Sequence, residues 1–267
     1  MSVLPYPPLH KEAKFVDGTI TDRDSNDCLT DDLGYGYELR RQGNKDVLSG
    51  AKTFRDSFKE MLDSVHHPYE ECIKYLQTHI KLDPGFKEFY QWCKANGIPV
   101  IIVSSLGAPF SPQCRMLTSL WRGMAPIIRA VLETLIGHEE ASQIEIIAND
   151  VKYLDPEQKG TKWEIVYRHP ESGFGHDKSK AILPYRDLPH APTLFFCGDG
   201  VSDMSAAAHA DLLFAKKMAN GDSDLMTYCK QQGLLFVPFT DFTKVLAKVK
   251  EVVAGKDFRQ VLKEEGN

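Results

Sequence analysis

Three short and continuously apolar segments constrain most strongly how this chain of 267 residues can fold. They span residues 98–103, 193–197 and 234–237. A strand that is apolar at every position is typical of a parallel sheet covered by helices on both faces. Patterns of helical periodicity lie among these segments, at residues 124–136, 202–208 and 242–253. This alternation predicts an α/β protein with a doubly wound, Rossmann-like parallel sheet.

Residues from about 28 to 96 show only helical patterns. Apolar residues recur at helical spacing in 52–65 and 69–80, and a third pattern begins at Pro84 and ends at Gly97. We therefore predict a small inserted helical domain over 28–96, with 1–27 and 97–267 forming the α/β core. Segments 144–148 and 163–167 enclose a turn-rich stretch, which we interpret as a β-flap.

Composition excludes several classes of partner. The formal net charge of −5 gives no electrostatic basis for nucleic-acid binding, and no apolar run is long enough to span a membrane. The first residues do not resemble a secretory signal, so we expect a soluble, cytoplasmic protein. The six cysteines are scattered without a metal-binding spacing, which favours buried free thiols over zinc or thiol catalysis.

The sharpest motif is the Gly-Asp-Gly turn that follows segment 193–197. Asp199 and Asp203 stand four residues apart at the end of the predicted strand, where a doubly wound sheet binds its ligands. Carboxylate oxygens at this spacing suit Mg²⁺, and the glycines let the backbone approach the ion. The alternative is a surface turn in which an aspartate caps the next helix.

Three weaker motifs indicate a function only when they are considered together with the Gly-Asp-Gly turn. They are Asp17-Gly-Thr19, Ser105 after the strand at 98–103, and Lys178 before a predicted helix. A hydroxyl or a lysine in such a place can bind a phosphate group. Taken singly, these residues could equally be a turn, the polar end of a strand and a solvated lysine.

In this order, the four motifs resemble those of the haloacid dehalogenase (HAD) superfamily of phosphotransferases, over nearly the whole chain. Within it the chain is most similar to the phosphoserine phosphatase-like branch, and there to an uncharacterised fungal group. The resemblance implies a HAD core with a small helical cap, and a Mg²⁺-dependent phosphatase of small phosphorylated metabolites that works through an aspartyl-phosphate.

The resemblance also implies residue roles. Asp17 would be the acid/base and a metal ligand, Lys178 a catalytic residue that binds phosphate together with Ser105, and Asp199 and Asp203 the remaining Mg²⁺ ligands. The substrate-binding residues would be Thr19, Ser105, Asp24 and Asp27. The last two lie in a stretch similar to one in phosphoethanolamine and phosphocholine phosphatases, and would suit an ammonium-bearing substrate such as phosphoserine, phosphoethanolamine or phosphocholine; alternatively, one of them caps the first helix of the cap. A phosphorylated methionine-salvage intermediate is another candidate substrate, because a related branch carries a similar cap.

The chain departs from the HAD pattern at two points. Phe15 stands where the family has its nucleophilic aspartate, two residues before Asp17, and residues 106–122 interrupt the turn after Ser105. We interpret these as a loss of residues before Asp17 and a retained intron in the gene model. The alternatives are a pseudophosphatase that binds phosphate ligands without turnover, and a Rossmann-type nucleotide-binding protein, although no Gly-rich dinucleotide or P-loop motif is present.

Overall fold

The computed structural model describes residues 20–104, 125–155, 157, 159–219, 221 and 223–266. The helices are α1 Ser25–Leu33, α2 Tyr37–Leu48, α3 Phe54–Asp63, α4 Tyr69–His79, α5 Phe86–Ala95, α6 Ala125–Ile136, α7 His138–Gln143, α8 Ser179–Arg186, α9 Met204–Ala207, α10 Asp224–Gln232, α11 Phe242–Val253 and α12 Phe258–Glu265. The strands are β1 Ile101–Val103, β2 Glu145–Ile147, β3 Asp150–Tyr153, β4 Trp163–Val166, β5 Phe195–Gly198, β6 Leu212–Lys216 and β7 Val237–Phe239.

The described residues form two compact units. The first unit contains 20–22, 82–103 and 178–266, and the second contains 23–81, 104 and the residues from 125 to 177. None of the helices in the described ranges is both long and apolar enough to cross a membrane.

The first unit is built on a parallel sheet in the order β5-β6-β7. Gly198 pairs with Ala215, and Phe214 pairs with Val237. Every residue of β5 and β6 is buried, which is the burial that continuously apolar strands predict. The predicted α/β fold is confirmed, because α9, α10 and α11 alternate with these strands along the chain.

The last predicted strand was placed too early. The structure has β7 at Val237–Phe239, whereas Leu235 within the predicted segment 234–237 is 56% exposed. Gly233, at a φ of 67°, ends α10, and the chain needs the residues after it to return to the sheet. The strand β6 was missed altogether, although its sequence, Leu-Leu-Phe-Ala-Lys, is apolar over four of its five residues.

Helix α5 packs in the first unit. The rings of Phe86 and Phe89 lie 5.1 and 5.2 Å from the ring of Phe242 at the start of α11. This aromatic cluster explains why α5 belongs with the sheet rather than with α1–α4, although the sequence-based boundaries place α5 in 28–96 together with α2–α4 and most of α1. The assignment of 28–96 as a cap on a core of 1–27 and 97–267 remains a prediction.

The second unit combines helices with a hairpin. The predicted helices at 52–65 and 69–80 are confirmed as α3 and α4. Strands β3 and β4 pair antiparallel, with Tyr153 opposite Trp163, and both rings pack edge-on against Tyr69. The flap therefore exists, but its first strand is Asp150–Tyr153 and not the predicted 144–148, because β2 ends at Ile147 and a new strand begins at Asp150.

Candidate active site

The loop after β5 is held by its own carboxylate. Val201–Asp203 form a 3₁₀ turn that carries the Asp203 side chain back over the end of the strand. Its Oδ2 atom accepts hydrogen bonds from the backbone N–H groups of Asp199 at 2.9 Å and Gly200 at 3.0 Å. Asp203 is only 2% exposed, so these bonds form away from solvent and fix the Gly-Asp-Gly turn.

Lys178 reaches the same carboxylate from a distant part of the chain. Its Nζ atom donates to Asp203 Oδ1 at 2.6 Å and to Ser202 Oγ at 3.3 Å, and its backbone N–H donates to Ser205 Oγ at 3.1 Å. The lysine is 3% exposed, so the interpretation of Lys178 as a solvated side chain is wrong. The first unit therefore brings together three of the predicted site residues, namely Lys178, Asp199 and Asp203.

Gly198 leaves the space that this arrangement needs. A Cβ atom at this position would lie 2.8 Å from Asp203 Cγ and 2.8 Å from Leu225 Cδ2. We expect Gly198→Ala to lower the free energy of unfolding by about 1–3 kcal/mol, because the crowded carboxylate must move from its donors. Gly200→Ala is the matched control, since a Cβ atom there meets nothing within 4 Å. Urea unfolding of both variants tests this, and equal stabilities would contradict it.

Of the two carboxylates near Lys178, Asp199 fits Mg²⁺ better than Asp203. Asp203 accepts three hydrogen bonds from protein groups, out of about four lone-pair positions, and so has little capacity left for a metal. Asp199 is partly exposed on the same turn and has the hard oxygen atoms that Mg²⁺ prefers. Within the described ranges, no group of three or more His, Cys, Asp or Glu residues could hold a metal ion. The other predicted ligand, Asp17, lies outside those ranges.

Asp24 and Asp27 both have structural roles in the second unit. Asp24 is the N-cap of α1, where its Oδ1 atom accepts from the backbone N–H groups of Asn26 at 2.7 Å and Asp27 at 3.0 Å. The capping alternative is therefore confirmed for Asp24. Asp27 forms an ion pair of 2.7 Å with Arg40, which is 1% exposed and also binds Asp31 through two nitrogen atoms. Substrate contact by Asp24 and Asp27 stays a prediction.

The residue before Ser105 is tied to a buried histidine. Ser104 donates its backbone N–H to Ile147 O at 2.9 Å, and its carbonyl oxygen bonds to Nδ1 of His176 at 2.5 Å. His176 has no exposed surface, so its ring belongs to the interior of the second unit. Its own loop, closed by the bond from His169 N to Gly175 O, carries the ring inward. The predicted residues Asp17, Thr19 and Ser105, as well as Phe15 and the segment 106–122, lie outside the described residues.

The Asn149 side chain and the described cysteines have ordinary structural roles. The Oδ1 atom of Asn149 accepts the backbone N–H of Arg168 at 2.9 Å and so connects the two ends of the hairpin. The described cysteines are buried thiols outside any disulfide bond: Cys28, Cys72, Cys93, Cys197 and Cys229. Burial raises the pKa of the Cys229 thiol to about 11, and the nearby Asp203 carboxylate adds to this rise. Cys229 is therefore a neutral thiol and a poor nucleophile.

Comparison with known proteins agrees with this geometry. Residues 16–208 match the model of the HAD family, described as haloacid dehalogenase-like hydrolase. The chain is 44% identical over 248 residues to the polyol phosphate phosphatase PYP1 of Saccharomyces cerevisiae, covering 90% of this chain and 92% of that protein. It is 46% identical over 231 residues to Pdp3-interacting factor 1 of Schizosaccharomyces pombe, covering 86% and 90%.

Among solved structures, the chain is similar to one described as a phospho-aspartyl intermediate analogue of phosphoserine phosphatase. The TM-score is 0.59 at 15% identity, with 89% of this chain and 99% of that chain covered, which shows a common fold. The family and its phosphatase relatives support the prediction of a phosphoric monoester hydrolase. The chain belongs to the haloacid dehalogenase-like hydrolases.

Proposed function

We propose that this protein is a Mg²⁺-dependent phosphatase of small phosphorylated polyols. The observation that carries the proposal is the buried Lys178–Asp203 pair beside Asp199, in a chain that belongs to the HAD-like hydrolases. A lysine held at 2.6 Å by a buried carboxylate is fixed in position, as a group that neutralises phosphoryl oxygens must be. The family match also favours a hydrolase over the nucleotide-binding alternative.

In this proposal each residue has a defined task. Lys178 binds the phosphoryl group, Asp203 orients the Lys178 ammonium, and Asp199 holds Mg²⁺, which would neutralise charge on the phosphoryl oxygens when bound. Asp17 would protonate the leaving oxygen, and Ser105 would donate a hydrogen bond to the phosphate. Asp203 orients the lysine rather than serving as a full metal ligand, because most of its lone pairs are already used.

The name of one relative and the contacts of two aspartates in the second unit favour one substrate class. The relative that is 44% identical is named for polyol phosphates, which carry neutral hydroxyl groups. An ammonium-bearing substrate would need a carboxylate to bind it, yet Asp24 already caps α1 and Asp27 is paired with Arg40. These contacts favour a phosphorylated polyol over phosphoserine, phosphoethanolamine or phosphocholine.

A second candidate function arises from Phe15. A phenyl side chain cannot form an acyl-phosphate, so this polypeptide would bind phosphate ligands and turn them over very slowly. The binding residues Lys178 and Asp199 are retained in either case. The cytoplasmic location and the absence of nucleic-acid and membrane partners remain predictions.

A substrate panel tests the polyol proposal. Phosphate release is measured with Mg²⁺ on the Phe15→Asp variant, using glycerol phosphate and sorbitol phosphate against phosphoserine, phosphoethanolamine and phosphocholine. We expect kcat/KM to be about 10-fold higher for the polyol phosphates and activity to be lost with EDTA. Asp24→Ser removes the carboxylate but keeps a capping side chain, so it should leave the ranking unchanged. A preference for the ammonium-bearing esters that Asp24→Ser abolishes would overturn the substrate assignment.

A further inference from the structure

A second buried lysine lies at the carboxyl edge of the sheet, apart from Lys178. Lys216 is the last residue of β6 and is 3% exposed. Its neighbour Ala215 pairs with Gly198, so Lys216 lies one residue beyond the pair at which the Gly-Asp-Gly turn begins. Parallel strands end together at the edge where such a fold binds ligands. Lys216 therefore lies on the same edge as Asp199.

The Lys216 ammonium and the Asp83 carboxylate together join separate segments of the first unit. Its Nζ atom contacts Oδ2 of Asp83 in a buried ion pair and donates to the carbonyl oxygen of Thr21 at 3.0 Å. Oδ1 of Asp83 accepts the backbone N–H of Phe242 at 2.8 Å. The backbone N–H of Asp83 donates to Ile20 O at 2.9 Å. The ion pair thus connects the segment 20–22 to β6 and to the start of α11.

Thr21 is close in sequence to two features of the chain, the Asp17-Gly-Thr19 motif and a boundary between the two units. Thr21 follows Asp17-Gly-Thr19 by two residues, and it pairs with Leu82 in an isolated antiparallel bridge. The chain leaves the first unit after Asp22 and returns to it at Leu82. Lys216 and Asp83 therefore hold the first unit's chain near the point where it leaves that unit, at Asp22, and near the point where it returns, at Leu82.

Stability alone does not explain a buried ion pair at this place. Exchanging such a pair for apolar residues is often neutral or stabilising, since burying two charges costs about as much as their attraction returns. An apolar side chain at 216 could not donate to a carbonyl oxygen, however. The property that only the lysine supplies is a fixed position for the backbone of Thr21.

We propose that Lys216 and Asp83 form a positioning clamp that holds the backbone leaving the Asp17-Gly-Thr19 motif against the carboxyl edge of β6. The clamp thereby fixes the backbone two residues after the motif that would carry the proposed acid/base. Misplacement of a reacting group by about 1 Å can reduce the rate about 100-fold. The catalytic consequence rests on the proposed phosphatase function, whereas the fixation of the backbone does not.

Hydrogen exchange on the full chain tests the fixation directly. The variants are Lys216→Met, Asp83→Asn and the double variant, and the side-chain amide oxygen that Asp83→Asn introduces can still accept the Phe242 N–H. Lys248→Met is the matched control, because it removes a lysine with two carboxylate partners from α11. We expect the backbone N–H at position 83 to exchange about 10-fold faster in the Lys216 variants, relative to the amides of β5. An unchanged ratio would overturn the clamp.

Kinetics in the Phe15→Asp background separate positioning from stability. The double variant should recover much of the urea midpoint that Lys216→Met loses, because no unpaired buried charge remains. Its kcat should nevertheless stay about 10- to 100-fold low, with KM changed less than about 2-fold. Recovery of kcat together with the midpoint would overturn the positioning role. If Phe15→Asp is inactive both with and without residues 106–122, the proposed function fails, and hydrogen exchange still decides whether the clamp exists.

Discussion

The Phe15→Asp variant is expected to hydrolyse a polyol phosphate about 10⁴-fold faster than the Phe15→Asn variant, which is similar in size but lacks a nucleophile. Position 15 lies two residues before Asp17, and side chains two residues apart in an extended chain point to the same face. A carboxylate at 15 could therefore attack phosphorus while Asp17 protonates the leaving group. Lys178, the proposed phosphate-binding residue, is already held by Asp203 at 2.6 Å.

The comparison is made in two backgrounds, the full chain and a chain without residues 106–122. Phosphate release with Mg²⁺ gives the rates, and rapid acid quenching with labelled substrate detects phosphate bound covalently to the protein. We expect labelling only with aspartate at 15, and a higher rate when the interruption after Ser105 is removed. Equal rates for the Asp and Asn variants in both backgrounds would show that position 15 is not the nucleophile site. A true pseudophosphatase would behave in that way.

The fold was predictable where burial leaves a local pattern. The periodicity of 69–80 and 242–253 gave α4 and α11, and the apolar run at 193–197 gave β5. The strand β7 was misplaced, since an apolar run does not tell which of its residues pair in the sheet. Helix α5 shows a second limit. Its own sequence predicts a helix, but its association with Phe242 depends on a partner more than 150 residues later.

The candidate site was predictable where chemistry is concentrated in one short motif. Gly198, Asp199 and Asp203 follow an apolar strand directly, and their spacing already indicated a ligand-binding turn. Lys216 gave only a weak signal, a charged residue at the end of an apolar run, and its partner Asp83 lies 133 residues away. The burial of His176 has no local signal either, because the sequence does not show that its ring bonds to the Ser104 carbonyl. Local patterns reveal ligand-binding turns, whereas buried polar pairs between distant segments need the fold.

The second large effect is expected at Asp203, where Asp203→Ala should lower the free energy of unfolding by about 3–5 kcal/mol. The substitution leaves the buried Lys178 ammonium without its carboxylate and removes the acceptor of the Asp199 and Gly200 N–H groups. A domain of this kind is stabilised by only about 5–15 kcal/mol, so the variant should unfold at a clearly lower urea concentration. Asp63→Ala is the control, because Asp63 and its partner Lys59 are each 51% exposed, and such a pair contributes at most about 0.5 kcal/mol.

A double-mutant cycle identifies the source of the loss. If the unpaired ammonium is the main cost, Lys178→Met in the Asp203→Ala background should restore part of the stability, since the buried positive charge is gone. The remaining deficit would then measure the two backbone N–H groups of the Gly-Asp-Gly turn that have lost their acceptor. If Asp203→Ala costs no more than Asp63→Ala, the pair is not buried in solution. Lys178 would then be a mobile lysine, and the site would lack the fixed cation on which the proposed chemistry depends.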